Sequence, residues 1–91
     1  MEVRWELSAK QDLEDAREHK ENSPRTDVEK FIRSMISTAD SLSFMPNRNP
    51  KVPSRTYRYI INQLYLYRIC YKVIDNTVHI IYVQHPKENR R

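Results

Sequence analysis

Glycine is missing altogether from the 91-residue chain. Phosphate-cradling loops, the dinucleotide fingerprint and the glycine-flanked nucleophile elbow all depend on it, so the activities built on them are excluded together. Turns then fall to proline, asparagine, aspartate and serine. Cysteine is nearly missing: Cys70 is single, so no disulfide closes within the chain and no C-x-x-C pair offers itself to zinc. That usage suits a reducing interior, with the cytosol as the expected compartment. No apolar run approaches the roughly 20 residues of a membrane-spanning helix, and the opening MEVRWELSAK lacks the apolar stretch of a secretion signal. No membrane, metal or small-molecule cofactor is expected.

What is present is charge with a mild positive bias. Sixteen Lys and Arg against twelve Asp and Glu leave a net +4, which suits a polyanionic partner such as RNA, an acidic membrane surface or an acidic protein segment. A chain of this length has room for a single domain, 1–91, with 86–91 expected as a basic, frayed tail.

Glu2 to Leu7 alternates polar and apolar residues, the period of a half-buried strand with Val3, Trp5 and Leu7 on one face. Ser8 to Gln11 fits a capping box, and Ala9, Leu13 and Ala16 follow at helical spacing, which predicts a helix over 8–21. Ser23-Pro24 reads as a break and a restart, with proline at the first helical position. Val28, Phe31, Ile32, Met35, Ile36, Ala39 and Leu42 then recur at three and four, so 24–43 is expected as a second helix, antiparallel to the first, with this stripe in the core. MPNRNPKVP, 45–53, is a proline-rich loop. Three β-rich stretches follow, 57–61, 65–74 and 77–84, with Asn62-Gln63 and Asp75-Asn76 as hairpin turns. The fold class expected is α+β: an N-terminal strand, a two-helix hairpin, then a three-stranded antiparallel meander in one sheet packed on the helices.

The stretch YRICYKVIDNTVHIIYVQH sets four basic side chains into apolar surroundings. With Asp75 and Asn76 at the centre of the turn, 72 pairs with 79 and 73 with 78, and strict alternation sorts two faces. Tyr67, Ile69, Tyr71, Val73, Val78, Ile80 and Tyr82 fall on one, ready to receive the helical stripe. Leu66, Arg68, Cys70, Lys72, Ile74, His79, Ile81, Val83 and His85 fall on the other, which is both apolar and positive. Arg68 is then opposite Val83, with His85 on the diagonal and in reach of a shared anion. Whether Arg58, or instead Tyr57 and Tyr59, joins that face depends on one residue in the Asn62-Gln63 loop. A solvated sheet face carrying Arg and Lys is ordinary. The apolar companions are less so, since an exposed apolar face marks a partner site.

A Trp-bearing strand, S-A-x-x-D-L opening a helix, a Ser-Pro break, a second helix before a proline-rich loop, and strands with Y-R-I-x-Y-x-V and a final V-x-H together resemble the RelE/ParE superfamily of bacterial toxins. The residues concerned are Trp5, Ser8-Ala9, Asp12-Leu13, Leu42, Pro46, Arg58-Tyr59, Tyr67 to Val73 and Val83-Gln84-His85. The resemblance implies a growth-inhibiting toxin of a type II toxin–antitoxin pair, neutralised by a cognate antitoxin that is commonly acidic. Arg58, Leu66, Arg68, Cys70, Lys72, His79, Ile81 and Val83 are the partner-binding residues to expect.

Two mechanisms divide that superfamily. RelE-like members cut messenger RNA on the ribosome, with basic side chains gripping phosphate and a general acid or base moving the proton. Here Arg68 matches the strand arginine, His85 stands where some members place a histidine, and Lys87 is the nearest substitute for an arginine that falls on Pro86. The paired lysines of the preceding strand fall near Tyr59 and Ile61, and the tail has no tyrosine. ParE-like members inhibit DNA gyrase, and the long helical hairpin and incomplete nuclease set resemble those. The partners implied are thus an antitoxin, and gyrase or the ribosome with its message. Outside the resemblance, a peptide- or RNA-binding module remains the competing reading. Cys70, mid-strand with no identified base, does not suit a nucleophile.

Overall fold

The computed structural model describes residues 1–87. Residues 88–91, most of the expected basic tail, lie outside them. The elements run β1 (Glu2–Trp5), α1 (Leu7–Glu21), α2 (Val28–Asp40), β2 (Arg58–Ile61), β3 (Arg68–Ile74) and β4 (Thr77–Gln84). They form one sheet in the order β1-β4-β3-β2, with β1 parallel to β4 and the other pairings antiparallel. Both helices lie on one face.

Helix α2 follows its sequence pattern except at Ile36, which stays 41% exposed. Phe31, Met35 and Ala39 are fully buried, with Leu42 in the 3-10 turn that continues the helix. Phe31 meets Tyr65 and Tyr67 edge to face, at centroid distances of 5.0 and 5.3 Å. The Lys20 ammonium from the end of α1 lies 5.4 to 5.5 Å from all three rings, so α1, α2 and the approach to β3 converge on one aromatic cluster.

The helix starts differ from expectation. α1 begins at Leu7 after Glu6, with no side-chain cap. Ser8 makes no capping box because its hydroxyl donates to the Ile81 carbonyl at 2.5 Å. α2 begins at Val28 and not at Pro24, because the Asp27 carboxylate accepts the Lys30 amide and supplies a stronger N-cap.

Asp75 and Asn76 both adopt positive φ, 49° and 61°, as a tight two-residue turn requires of its centre, and Ile74 pairs with Thr77 across it. The β2–β3 connection is longer than the two-residue turn expected, for β3 begins at Arg68. Asn62, 1% exposed, organises this loop. Its side-chain carbonyl accepts the Leu64 and Tyr65 amides, while its NH₂ donates to Ser34 Oγ at 2.8 Å and Thr38 Oγ1 at 3.0 Å on α2.

The pairing of β3 with β4 keeps the expected register from the turn as far as Tyr71 with Ile80, then slips at a β-bulge that leaves Ile81 without an opposite residue. Beyond it Cys70 faces Tyr82, Ile69 faces Val83 and Arg68 faces Gln84. The bulge is braced from α1. Ser8 bonds the Ile81 carbonyl and, one helical turn on, Asp12 accepts the Val83 amide at 2.9 Å. The S-A-x-x-D-L segment therefore acts as a clamp on β4.

Candidate partner-binding face

Past the bulge, Val83 turns inward to join Tyr67, Ile69, Tyr71, Val78 and Ile80 under the helices. Tyr82 turns outward, against Cys70 and Val52. These two residues exchange the places that strict alternation assigns them. His85 also lies on the helix side, its ring 5.1 Å from that of buried Tyr67 and 5.8 Å from His19 of α1. Val83 is thereby removed from the partner-binding set. His85 and Arg68 sit on opposite faces of the sheet and share no anion site. Lys87, exposed, is tied to His85 through its backbone amide.

The register Tyr59 with Cys70 and Arg58 with Tyr71 decides the question left open for β2. Tyr57 and Tyr59 belong to the outward face. Arg58 turns to the helix side, where its guanidinium donates to the Asn49 carbonyl at 2.7 Å, and so it too leaves the partner-binding set.

The proline-rich segment wraps around the β2 edge. On the helix side the Tyr71 hydroxyl donates to the Pro46 carbonyl. The segment then pairs with β2, as Tyr59 donates to Pro50 and Val52 donates to Tyr57, and brings Val52 down over the outward face. Val52, Cys70 and Tyr82 form a second buried cluster, with Tyr57, Tyr59 and Ile81 packed against it. Cys70 is therefore covered by its own chain and offers no surface to a partner. One valine among prolines, asparagines and cations was the only sequence signal for this cover.

Burial acts on the phenols. It pushes the Tyr82 hydroxyl well above the ordinary tyrosine range, with contributions from Cys70 and Tyr57, and burial pushes Tyr71 up as well. A raised tyrosine favours the neutral phenol in the folded chain. Its stabilising contribution is complete below about pH 10 and declines as pH rises toward the folded-state value. In an alkaline titration followed by phenolate absorbance, Tyr71 and Tyr82 are expected to ionise last, together with loss of fold. Tyr71→Phe and Tyr82→Phe should each delete part of that late step, and a late step unchanged in both would refute the assignment.

On the outward face there remain Arg68, Lys72, His79, Ile81 and, at its margin, Leu66. Arg68 lies over the Tyr59 ring at 4.2 Å, which fixes the guanidinium in position. Lys72 pairs across the sheet with His79, whose Nδ1 lies 2.8 Å from the Glu6 carboxylate. Leu66 is 58% exposed and holds φ at 64° in the β2–β3 loop. The result is a sheet surface of cations and aromatic rings closed at one end by the Val52 arm. A second concavity, about 640 Å³, opens between the helices over Trp5, Leu13, Val28, Ile32 and Ile36. Among the described residues no helix is long and apolar enough to cross a membrane, and no group of three His, Cys, Asp or Glu could hold a metal ion.

An N-terminal strand, two helices and a sheet closed by β1 running parallel to β4 define the RelE/ParE toxin fold, and solved structures share it. The chain is similar to one from a chromosomal ParDE toxin–antitoxin system of P. aeruginosa, with a TM-score of 0.79, 16% identity, and 93% of this chain and 95% of that one covered. It is also similar to a chain of the RelBE2 complex of Mycobacterium tuberculosis (0.65, 21%, 92% and 95%) and to one of the intact RelBE complex of E. coli (0.57, 16%, 96% and 98%). No curated protein matches the sequence closely enough to count as a relative. The model of the ParE toxin of the type II toxin–antitoxin system parDE matches residues 3–90, and the chain belongs to that family.

Proposed function

We propose that this type II toxin arrests growth in the ParE manner, by inhibiting DNA gyrase, and that its cognate antitoxin silences it by covering the outward face around Arg68, Lys72, His79 and Ile81. The observation that carries the reading is the separation of Arg68 from His85. A nuclease needs a cation at the phosphate and an acid or base within reach of the same bond, and here the sheet stands between them. Arg68 stacked on Tyr59 is a fixed cation on the face away from His85, which suits recognition better than proton transfer. The fold likeness to RelBE chains leaves ribosome-dependent message cleavage as the alternative outcome of the test.

Induction of the chain alone is expected to arrest growth, with rescue by the neighbouring antitoxin reading frame. Purified protein is expected to block supercoiling by gyrase and to leave ribosome-bound message intact. Arg68→Ala should reduce the gyrase effect at unchanged thermal stability. Cleavage of the message, lost in Arg68→Ala, would transfer the chain to the RelE mechanism. Absence of any growth effect would indicate a non-toxic binding module.

A further inference from the structure

The outer edge of β1 is open. The Glu6 amide donates to the Ile80 carbonyl at 2.9 Å, and backbone groups alternate along a strand, so those of Glu2 and Arg4 face β4 and those of Val3 and Trp5 face away. Among the described residues no backbone group pairs with Val3 or Trp5 on that far side. The opposite edge of the sheet, at β2, is partly taken by the proline-rich arm, where Val52 donates to Tyr57 and Tyr59 donates to Pro50. β1 has no such cover, and no proline or inward-pointing charge discourages pairing along it.

Its side chains complement a second copy of themselves. Val3 and Trp5 pack toward the core, Met1 falls on the same face by alternation, and Glu2 and Arg4 pair with each other on the exposed face. An antiparallel pairing about a twofold axis through Val3 sets Val3 against Val3, Met1 against Trp5 and Glu2 against Arg4. The open Val3 and Trp5 backbone groups then find partners, because residues 1, 3 and 5 form the hydrogen-bonded pairs. Met1, 43% exposed, gains the Trp5 ring of the other copy, and opposite charges stand across from each other at the closer, non-hydrogen-bonded positions. A shift of the axis to Arg4 keeps backbone bonds but puts Arg4 against Arg4 and Glu2 against Glu6, so that like charges meet. The stretch MEVRW therefore specifies one register as well as one partner.

We propose that two copies of this chain join through β1 in that register, so that two four-stranded sheets become one continuous sheet. The axis stands perpendicular to the sheet, so both outward faces, each with Arg68, Lys72 and His79, look the same way. An unrelated strand answers the open Val3 and Trp5 groups alone, whereas a second copy also matches the charged face and the apolar one. β1 is only four residues long, which makes this a small contact of the transient class, formed at high protein concentration. The pairing needs none of Arg68, Lys72 or His79, so the inference does not depend on the gyrase reading.

The test is sedimentation equilibrium of the purified chain over a concentration series, with hydrogen exchange read at its two ends. The mass is expected to rise from monomer toward dimer, and exchange at the Val3 and Trp5 amides to slow with it. The Arg4 amide, already bonded to β4, should stay unchanged. Arg4→Glu sets carboxylates face to face and should raise the dissociation constant at least about tenfold, and E2R/R4E, which restores opposite charges, should return it to within about threefold of the parent. Both variants alter exposed side chains, and thermal melting checks that the fold is kept. A chain that stays monomeric throughout the series would overturn the proposal. So would dimerisation of Arg4→Glu equal to that of the parent, failure of E2R/R4E to recover it, or dimers in which Val3 and Trp5 exchange freely, which would place the contact elsewhere. Slowed exchange at these amides that needs an added peptide alternating Thr with Val, and never appears with the chain alone, would also overturn it, in favour of a foreign strand.

Discussion

Phe31→Ala is expected to cost about 3–5 kcal/mol. The ring is fully buried and stands where α2 meets Tyr65 and Tyr67 beneath the Lys20 ammonium. Its removal leaves a cavity that two aromatic rings on separate segments cannot jointly refill, and it takes away one face of the lysine's surroundings. In urea unfolding the midpoint should fall with little change in slope, because the buried area of the rest of the chain is unaltered. Phe31→Leu should recover most of the loss. A cost below about 1 kcal/mol for the alanine variant would mean that the aromatic cluster collapses around the gap, a relaxation that close-packed interiors rarely allow.

Asn62→Ala is expected to be nearly as damaging, at about 3 kcal/mol, by a different route. Four hydrogen bonds end on this amide: two bind the hydroxyls of Ser34 and Thr38, and two hold the turn amides of Leu64 and Tyr65. Deleting it leaves buried polar groups without their partner, and each such group costs about 1–3 kcal/mol. Asn62→Asp is informative, since the acceptor half survives while the donor half is lost. Its hydrogen-exchange pattern should keep Leu64 and Tyr65 protected and loosen the contact with α2. If alanine is tolerated with all four neighbours still protected, water has replaced the amide and the loop is not organised as described.

Much of the fold is legible from residues alone. The α2 stripe, the Asp75-Asn76 turn and the pairing next to it follow from periodicity and from two residues that tolerate positive φ. So does the placement of Arg68, Lys72 and His79 on the face away from the helices. What is not legible has a common cause. Ile81, Tyr82 and Val83 are all suited to a strand, so nothing in their chemistry announces an inserted residue, and the signal for it lies at Ser8 and Asp12, far away in sequence. Ser8 looks like a helix cap because Gln11, a polar residue three positions on, satisfies a local rule. Tertiary contacts with β4 use the hydroxyl instead. Asp27 likewise overrides Pro24 at the start of α2.

The errors in the site propagate from that one slip. Moving the register by a residue sends Val83 inward and Tyr82 outward, and carries His85 to the side of α1. Arg58 leaves the outward face through the register of β2, and Cys70 is covered by the arm. A proline-rich loop gives little periodicity from which to infer that it will double back, and of its residues only Pro46 and Val52 are buried.

That arm makes the lone thiol a clock. Cys70 is sealed by Val52 and three tyrosines without lying under either helix, so a thiol-specific reagent can reach it when residues 50–57 lift away, with the helices still docked. The rate of modification would then time the lifting of one short segment and leave global unfolding unsampled. An antitoxin resting on that segment would slow the clock, so a colour reaction at a single sulfur could report its arrival.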